Sequence, residues 1–211
     1  MDYAAARARL VEQLRREIKD ERVIEAMARV PRECFVPLEE QLLAYEDMAL
    51  PIGFDQTISQ PYIVALMTEA LELSGDQKVL ELGMGSGYQT AILAELARFV
   101  VTTERVPALA ERAKIVLDSL GYANIEVHLA TETLGWTEVA PYEAILVTAG
   151  SPCLPSDLLA QLAIGGRLVI PVGSRYEQEL CKVTKQERKN VIESLCGCYF
   201  VPLIGKGVWE E

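Results

Sequence analysis

One histidine, His128, is all the imidazole this sequence contains. It falls in the stretch Ile125 to Leu129, which reads as a strand, where a histidine held by packing is the simpler reading than a catalytic one. Zinc-type spacing is missing as well. The cysteines, Cys34, Cys153, Cys181, Cys196 and Cys198, are five in number and include no Cys-x-x-Cys pair, which predicts reduced, structural thiols and no metal. Basic residues are scarce. Lys and Arg number 20 against 31 Asp and Glu, a net charge of −11, so no electrostatic affinity for nucleic acid is expected. Long apolar runs are absent. Residues 1–16 alternate in charge where a signal peptide would carry its apolar centre, and no run approaches the length of a membrane span. The expected setting is the cytoplasm, with no membrane partner.

What is present is a chain of 211 residues, 50% hydrophobic, able to bury a proper core as one domain with additions. Its most informative stretch is Val79-Leu80-Glu81-Leu82-Gly83-Met84-Gly85-Ser86-Gly87-Tyr88. Lys78 to Leu82 reads as a buried strand, Gly83 to Gly87 as a tight loop, and Gln89 to Ala97 as a helix. Glycine at every second position lets the main chain approach a ligand, and the helix start beyond offers unpaired N–H groups. The dinucleotide fingerprint needs a third glycine at position 88, where this chain has Tyr88. A second strand, Phe99 to Thr103, ends at Glu104, placed to meet ribose hydroxyls. The form of this loop resembles the S-adenosylmethionine site of Rossmann-like methyltransferases, although a glycine-rich turn can also merely join strand to helix.

Strand and helix alternate from 78 to 172, which predicts a doubly wound, mostly parallel α/β sheet with its ligand at the carboxyl ends of the strands. The strands are expected near 78–82, 99–103, 125–129, 144–148, 166–172, 179–184 and 194–201. Ahead of them, residues 4–18 and about 20–29 carry apolar residues at helical spacing, and Pro31 stops the second run. A polar helical stretch reaches about Ala44. Residues 45–61 then read as irregular, too punctuated for a helix and too polar for a buried strand. The helix after them, 62–73, would take Ser59 as its N-cap with Pro61 in the first turn; Ser59 can equally serve a substrate.

Several segments together resemble one family. Ala44-Tyr45-Glu46-Asp47, Leu50-Pro51-Ile52-Gly53 and Gln56-Thr57-Ile58-Ser59-Gln60-Pro61-Tyr62 precede the glycine loop. Glu104-Arg105-Val106-Pro107, Thr133-Leu134-Gly135-Trp136, Gly165 to Gly173, Gln178-Glu179-Leu180 and Phe200-Val201-Pro202-Leu203-Ile204-Gly205 follow it. The chain is similar in these segments, over roughly residues 10–209, to the protein-L-isoaspartate O-methyltransferases. The resemblance implies a class I methyltransferase fold with a seven-stranded sheet, residues 1–60 as a helical and loop cap, and residues 174–211 as a substrate-side extension. It implies a monomeric repair enzyme that moves a methyl group from S-adenosylmethionine to the α-carboxylate of isoaspartyl residues in aged proteins and peptides. Ser59 would orient that carboxylate with support from Thr57. Glu81, Gly83, Gly85, Gly87, Glu104 and Thr131 would serve the cofactor.

The chain departs from the family pattern at two places. Ala130-Thr131-Glu132 stands where Gly-Asp-Gly is usual, so a neutral hydroxyl replaces the acid that in the family meets the adenine amino group. Phe54-Asp55 stands where a small, glycine-containing pair is common. These departures favour one rival reading, a decayed enzyme kept for binding other proteins. Pro152-Cys153 after the fourth strand suggests another, a cytosine-carbon methyltransferase with a cysteine nucleophile. A small-molecule carboxyl methyltransferase would share the cofactor half.

Overall fold

The computed structural model describes residues 2–210. The chain opens with helices α1 (Tyr3–Leu14) and α2 (Glu21–Arg29), capped by Asp2 and Asp20, whose side chains accept from Ala5 N and Arg22 N. Helix α1 ends before the expected residue 18 because the N–H groups of Glu17 and Ile18 both turn back on the Leu14 carbonyl, at 3.0 and 2.9 Å. Two short 3-10 turns, Arg32–Phe35 and Leu38–Leu43, lead onward.

The run expected to be irregular contains a β-hairpin. Strand β1 (Leu50–Gly53) pairs antiparallel with β2 (Gln56–Ile58), and Leu50, Ile52 and Ile58 are buried. The two turn residues, Phe54 and Asp55, have φ of 55° and 56°. A two-residue turn with both φ values positive matches the twist of the strands it joins, and it usually recruits Asn or Gly. Here neither turn residue carries that chemistry, so the hairpin leaves no mark in the sequence pattern.

Helix α3 (Pro61–Ala70) follows, and its cap is not Ser59. Gln60 holds the N-cap position without a side-chain bond, while Asp47, from well upstream, accepts the free N–H of Tyr62 at 2.8 Å. The orphan donor of the first turn is thus met by a tertiary contact.

The central sheet is seven-stranded, in the order β5-β4-β3-β6-β7-β8-β9. Its strands are β3 (Lys78–Leu82), β4 (Phe99–Glu104), β5 (Ile125–Leu129), β6 (Tyr142–Val147), β7 (Leu162–Gly173), β8 (Gln178–Thr184) and β9 (Val191–Cys198). Strands β3 to β7 pair parallel, and β8 and β9 antiparallel. Helices α4 (Tyr88–Leu96), α5 (Pro107–Ser119) and α6 (Ser156–Gln161) connect them. The centre is apolar on both faces: Val79, Leu80, Ala144, Ile145 and Leu146 are fully buried, as parallel strands covered by helices must be. The N-terminal helices join the same interior, with Leu10, Leu14, Val23, Ile24 and Met27 clustered against Tyr88 and Ile92 of α4.

The last strand lies earlier than expected, at 191–198 instead of 194–201. Val191 pairs with Thr184, and the ladder ends because the N–H of Phe200 is taken by the side-chain oxygen of Gln178 at 2.8 Å. Residues 201–203 turn instead toward Gly150, whose N–H bonds the Val201 carbonyl and whose carbonyl accepts from Leu203, both at 2.7 Å.

The strand order reverses between β3 and β6. At such a switch point the loops leaving the two strands diverge and open a crevice at the carboxyl edge. The glycine loop leaves β3 there and Thr148 leaves β6 there, and the Thr148 hydroxyl bonds the Gly83 carbonyl at 2.6 Å.

Candidate active site

The crevice is a cavity of about 710 Å³, within the usual range for sites that hold a cofactor-sized ligand. Thr57 and Ser59 line it together with Gly83, Gly85, Glu104 and Thr131. Phe200 to Ile204 form a further wall. Segments far apart in sequence therefore meet where both a methyl donor and an acceptor could lie.

Glu104 is anchored on both oxygens. One accepts from the N–H of Gly85 and the other from the N–H of Val106, each at 2.8 Å. The residue is buried yet lines the cavity, so its carboxylate is oriented before any ligand arrives. Gly83 has φ +91°, and a Cβ there would fall inside the Thr148 hydroxyl. Glycine is required at this approach.

Two of the residues predicted for the cofactor do not line the cavity. Gly87 has φ +87° and starts α4, and a Cβ on it would meet Ala113 Cβ of α5 at 3.1 Å; its small size serves helix packing. Glu81 points into the sheet. One carboxyl oxygen accepts from the hydroxyls of Thr90 and Thr102, at 2.6 and 2.7 Å, and the other is buried without a partner. Burial pushes this carboxyl up to about 8, the two threonine bonds pull it down, and nearby Glu104 adds to the rise. Burial thus favours the neutral, protonated form of Glu81, which braces the strand beneath the loop through Thr90 and Thr102.

Thr131 stands exposed at the rim, its hydroxyl donating to the Thr133 carbonyl at 3.2 Å. That use of the proton leaves oxygen lone pairs free to accept from a ligand. The loop beyond is pinned by Gln161, which accepts from Trp136 N and donates to the Leu134 carbonyl, both at 2.8 Å. His128 is occupied structurally: its ring stacks on Trp136 with centroids 3.7 Å apart, and its Nε2 lies 2.7 Å from a Glu126 carboxyl oxygen. Phe54 and Asp55 project from the hairpin turn and do not line the cavity. Cys153 does not line it either.

Sequence reasoning missed three residues around this site. Arg32 and Asp47 hold the Ser59 segment from outside the cavity, and Gln178 holds the wall at Phe200. The buried amide of Gln178 takes Phe200 N and donates to the Phe200 carbonyl at 3.1 Å, standing in for a strand neighbour. Only Asp47 and Gln178 carried any signal, each within a segment shared with the family. Among the described residues, no group of three or more His, Cys, Asp or Glu could hold a metal, and no helix is long and apolar enough to cross a membrane.

The residues present fit S-adenosylmethionine: a loop where a side chain at Gly83 would collide, an anchored carboxylate at the second strand's end, and a free acceptor at Thr131. Comparisons with known proteins agree. A family model described as protein-L-isoaspartate(D-aspartate) O-methyltransferase (PCMT) matches residues 5–208. A protein-L-isoaspartate O-methyltransferase of Geobacter metallireducens is 54% identical, over 99% of this chain and 98% of that protein. A protein-L-isoaspartate O-methyltransferase 2 of Geotalea uraniireducens is 56% identical, over 97% and 96%. Among solved structures, a protein-L-isoaspartate O-methyltransferase superposes with a TM-score of 0.84 at 29% identity, over 94% of this chain and 66% of that one. A putative member from Plasmodium falciparum, in complex with S-adenosyl-L-homocysteine, gives 0.79 at 25% identity, over 94% and 98%. The doubly wound sheet is thus the class I methyltransferase fold, and the chain belongs to the protein-L-isoaspartate O-methyltransferase family.

Proposed function

We propose that Ser59, supported by Thr57, orients the α-carboxylate of an isoaspartyl residue for methylation in this cleft. The single observation that carries the reading is that Thr57 and Ser59 line the same cavity as Gly83, Gly85 and Glu104. The family's activity is transfer of a methyl group from S-adenosylmethionine to isoaspartyl residues, the first step of protein repair. When bound, the cofactor supplies an already activated methyl group on a sulfonium.

A carboxylate with an ordinary pKa of about 4 is ionised at neutral pH, so the acceptor needs no general base. Catalysis can come chiefly from holding the reacting atoms in line, worth up to about 7–11 kcal/mol when the geometry is good. The lone histidine, engaged with Trp136, is not needed. Glu104 would accept from the ribose hydroxyls, Gly83 and Gly85 would admit the methionine end, and Thr131 would take the adenine amino group. The Phe200–Ile204 wall would lie along the substrate peptide. In this reading residues 1–60 form the cap and 174–211 the substrate-side extension of one domain. It acts in the cytoplasm as a monomer, without nucleic acid.

The test is transfer of labelled methyl to two peptides identical except for isoaspartate or aspartate, by wild type and by Ser59→Ala. Labelling of the isoaspartyl peptide alone, reduced about tenfold or more in Ser59→Ala, is expected. Equal rates for both enzymes would remove Ser59 from its assigned place.

A further inference from the structure

The segment that carries Ser59 is gripped from two sides by residues that never reach the cavity. Arg32 is fully buried, and none of its hydrogen-bond partners is a carboxylate. Its Nε donates to the Ala44 carbonyl at 2.9 Å, and its Nη2 donates to the Ser59 carbonyl at 2.8 Å, with the Met48 carbonyl at 3.4 Å. The guanidinium also lies 4.8 Å from the centre of the Tyr88 ring, at the first turn of α4 directly after the glycine loop. On the other side, Asp47 accepts from Tyr62 N at 2.8 Å and from the Gln60 side-chain amide at 2.9 Å.

Burying a cation with no carboxylate bonded to it is expensive, and carbonyl dipoles, an aromatic face and the nearby charge of Asp47 offset it here. A neutral apolar side chain would fill the same space at no such cost, so packing alone does not explain an arginine. What arginine adds is a rigid fork that binds carbonyls from two loop segments at once, Ala44 and Met48 in one and Ser59 in the other, and rests on the residue that follows the cofactor loop.

We propose that Arg32 and Asp47 are positioning residues, a clamp that fixes the main chain around Ser59 and sets the distance between the Ser59 hydroxyl and the cofactor loop. Neither touches the reacting groups, so both act through Ser59. The proposal rests on the reading of Ser59 given above. It predicts a defect in turnover instead of cofactor binding, because the loop glycines and Glu104 are held by other bonds. A displacement of about 1 Å at such a group can cost ~100-fold in rate.

Asp47 is exposed, so Asp47→Ala is expected to fold; Arg32→Lys and Arg32→Met probe the buried side. Each variant is assayed with the isoaspartyl peptide for kcat and for KM of both substrates, and titrated with S-adenosyl-L-homocysteine. Asp47→Ala is expected to lower kcat about tenfold with S-adenosyl-L-homocysteine affinity within about twofold of wild type, and Arg32→Lys to retain more turnover than Arg32→Met. The decisive comparison is Asp47→Ala in a Ser59→Ala background. If the clamp acts through Ser59, the second change costs less than about a further twofold. Losses that multiply, or a matching fall in cofactor-analogue affinity, would overturn the clamp while leaving Ser59 in place. A wild-type rate in Ser59→Ala would overturn the Ser59 reading itself and the clamp's route through it.

Discussion

The carboxylate of Glu104 closes on the N–H of Gly85 at 2.8 Å while its other oxygen holds Val106 N. The same acid that faces the cavity thus fixes the shape of the glycine loop. Glu104→Gln keeps the size but turns one acceptor into a donor that faces an N–H. Because charge-assisted bonds are about twice as strong as neutral ones, the variant is expected to bind S-adenosyl-L-homocysteine about tenfold more weakly or worse. Calorimetric titration of both proteins decides it, and an unchanged affinity would mean the loop holds its shape without the acid.

The buried Glu81 makes a prediction about pH. Its carboxyl lies near 8 in the folded chain and near 4.3 when unfolded. Between these values the folded state binds a proton that the unfolded state does not. The group's stabilising contribution is therefore fully present below the unfolded value, declines by about 1.4 kcal/mol per pH unit above it, and is lost once pH passes the folded value. Glu81→Gln cannot titrate. Urea midpoints of the variant relative to wild type should shift in the variant's favour from pH 5 to pH 8, and a difference that stays constant with pH would show that Glu81 is charged in the fold.

Two glycines of one motif should fail in different ways. Gly83→Ala drives a side chain into the Thr148 hydroxyl at the cavity and should abolish saturable cofactor binding. Gly87→Ala pushes on Ala113, away from the cavity, and should cost about 1–2 kcal/mol of stability for its positive φ with cofactor affinity nearly unchanged in the folded protein. Melting and titration of both variants separate the two outcomes, and equal loss of binding would put Gly87 back at the cofactor.

The hairpin turn is open to improvement. Phe54→Asn combined with Asp55→Gly gives each residue a backbone region it accepts readily. The double variant should gain roughly 1 kcal/mol or more without change in kcat, since the turn does not line the cavity. Chemical denaturation and the methyl-transfer assay check both halves, and a fall in kcat would show that the turn reaches the substrate.

The cofactor half of this molecule was legible because its signals are local. Gly83, Gly85 and Glu104 sit within one strand-loop-helix-strand unit whose spacing is dictated by the chemistry of close approach. Membership of a motif did not tell contact from support, which is why Glu81 and Gly87 read as ligands. The substrate half was legible only by resemblance. Arg32 looks like any polar residue after a proline, and nothing local says that it is buried beneath Ser59. The β1–β2 hairpin hid behind a turn of unusual residues. The early end of β9 depends on a glutamine side chain imitating a strand, which no periodicity reveals.

That unusual turn bears on the lifetime of the enzyme itself. Isoaspartate arises when a main-chain nitrogen attacks the side-chain carbonyl of the Asn or Asp before it, and the attack is least hindered when the following residue is glycine. This chain contains no Asn-Gly and no Asp-Gly dipeptide. At a bend whose two positive φ values would favour such a pair, it carries Phe54-Asp55 and then Gln56. The chain accepts backbone strain there with residues other than the fastest-ageing dipeptide. The Asn-Gly variant would be the more stable protein when fresh, and in time a substrate for its own chemistry.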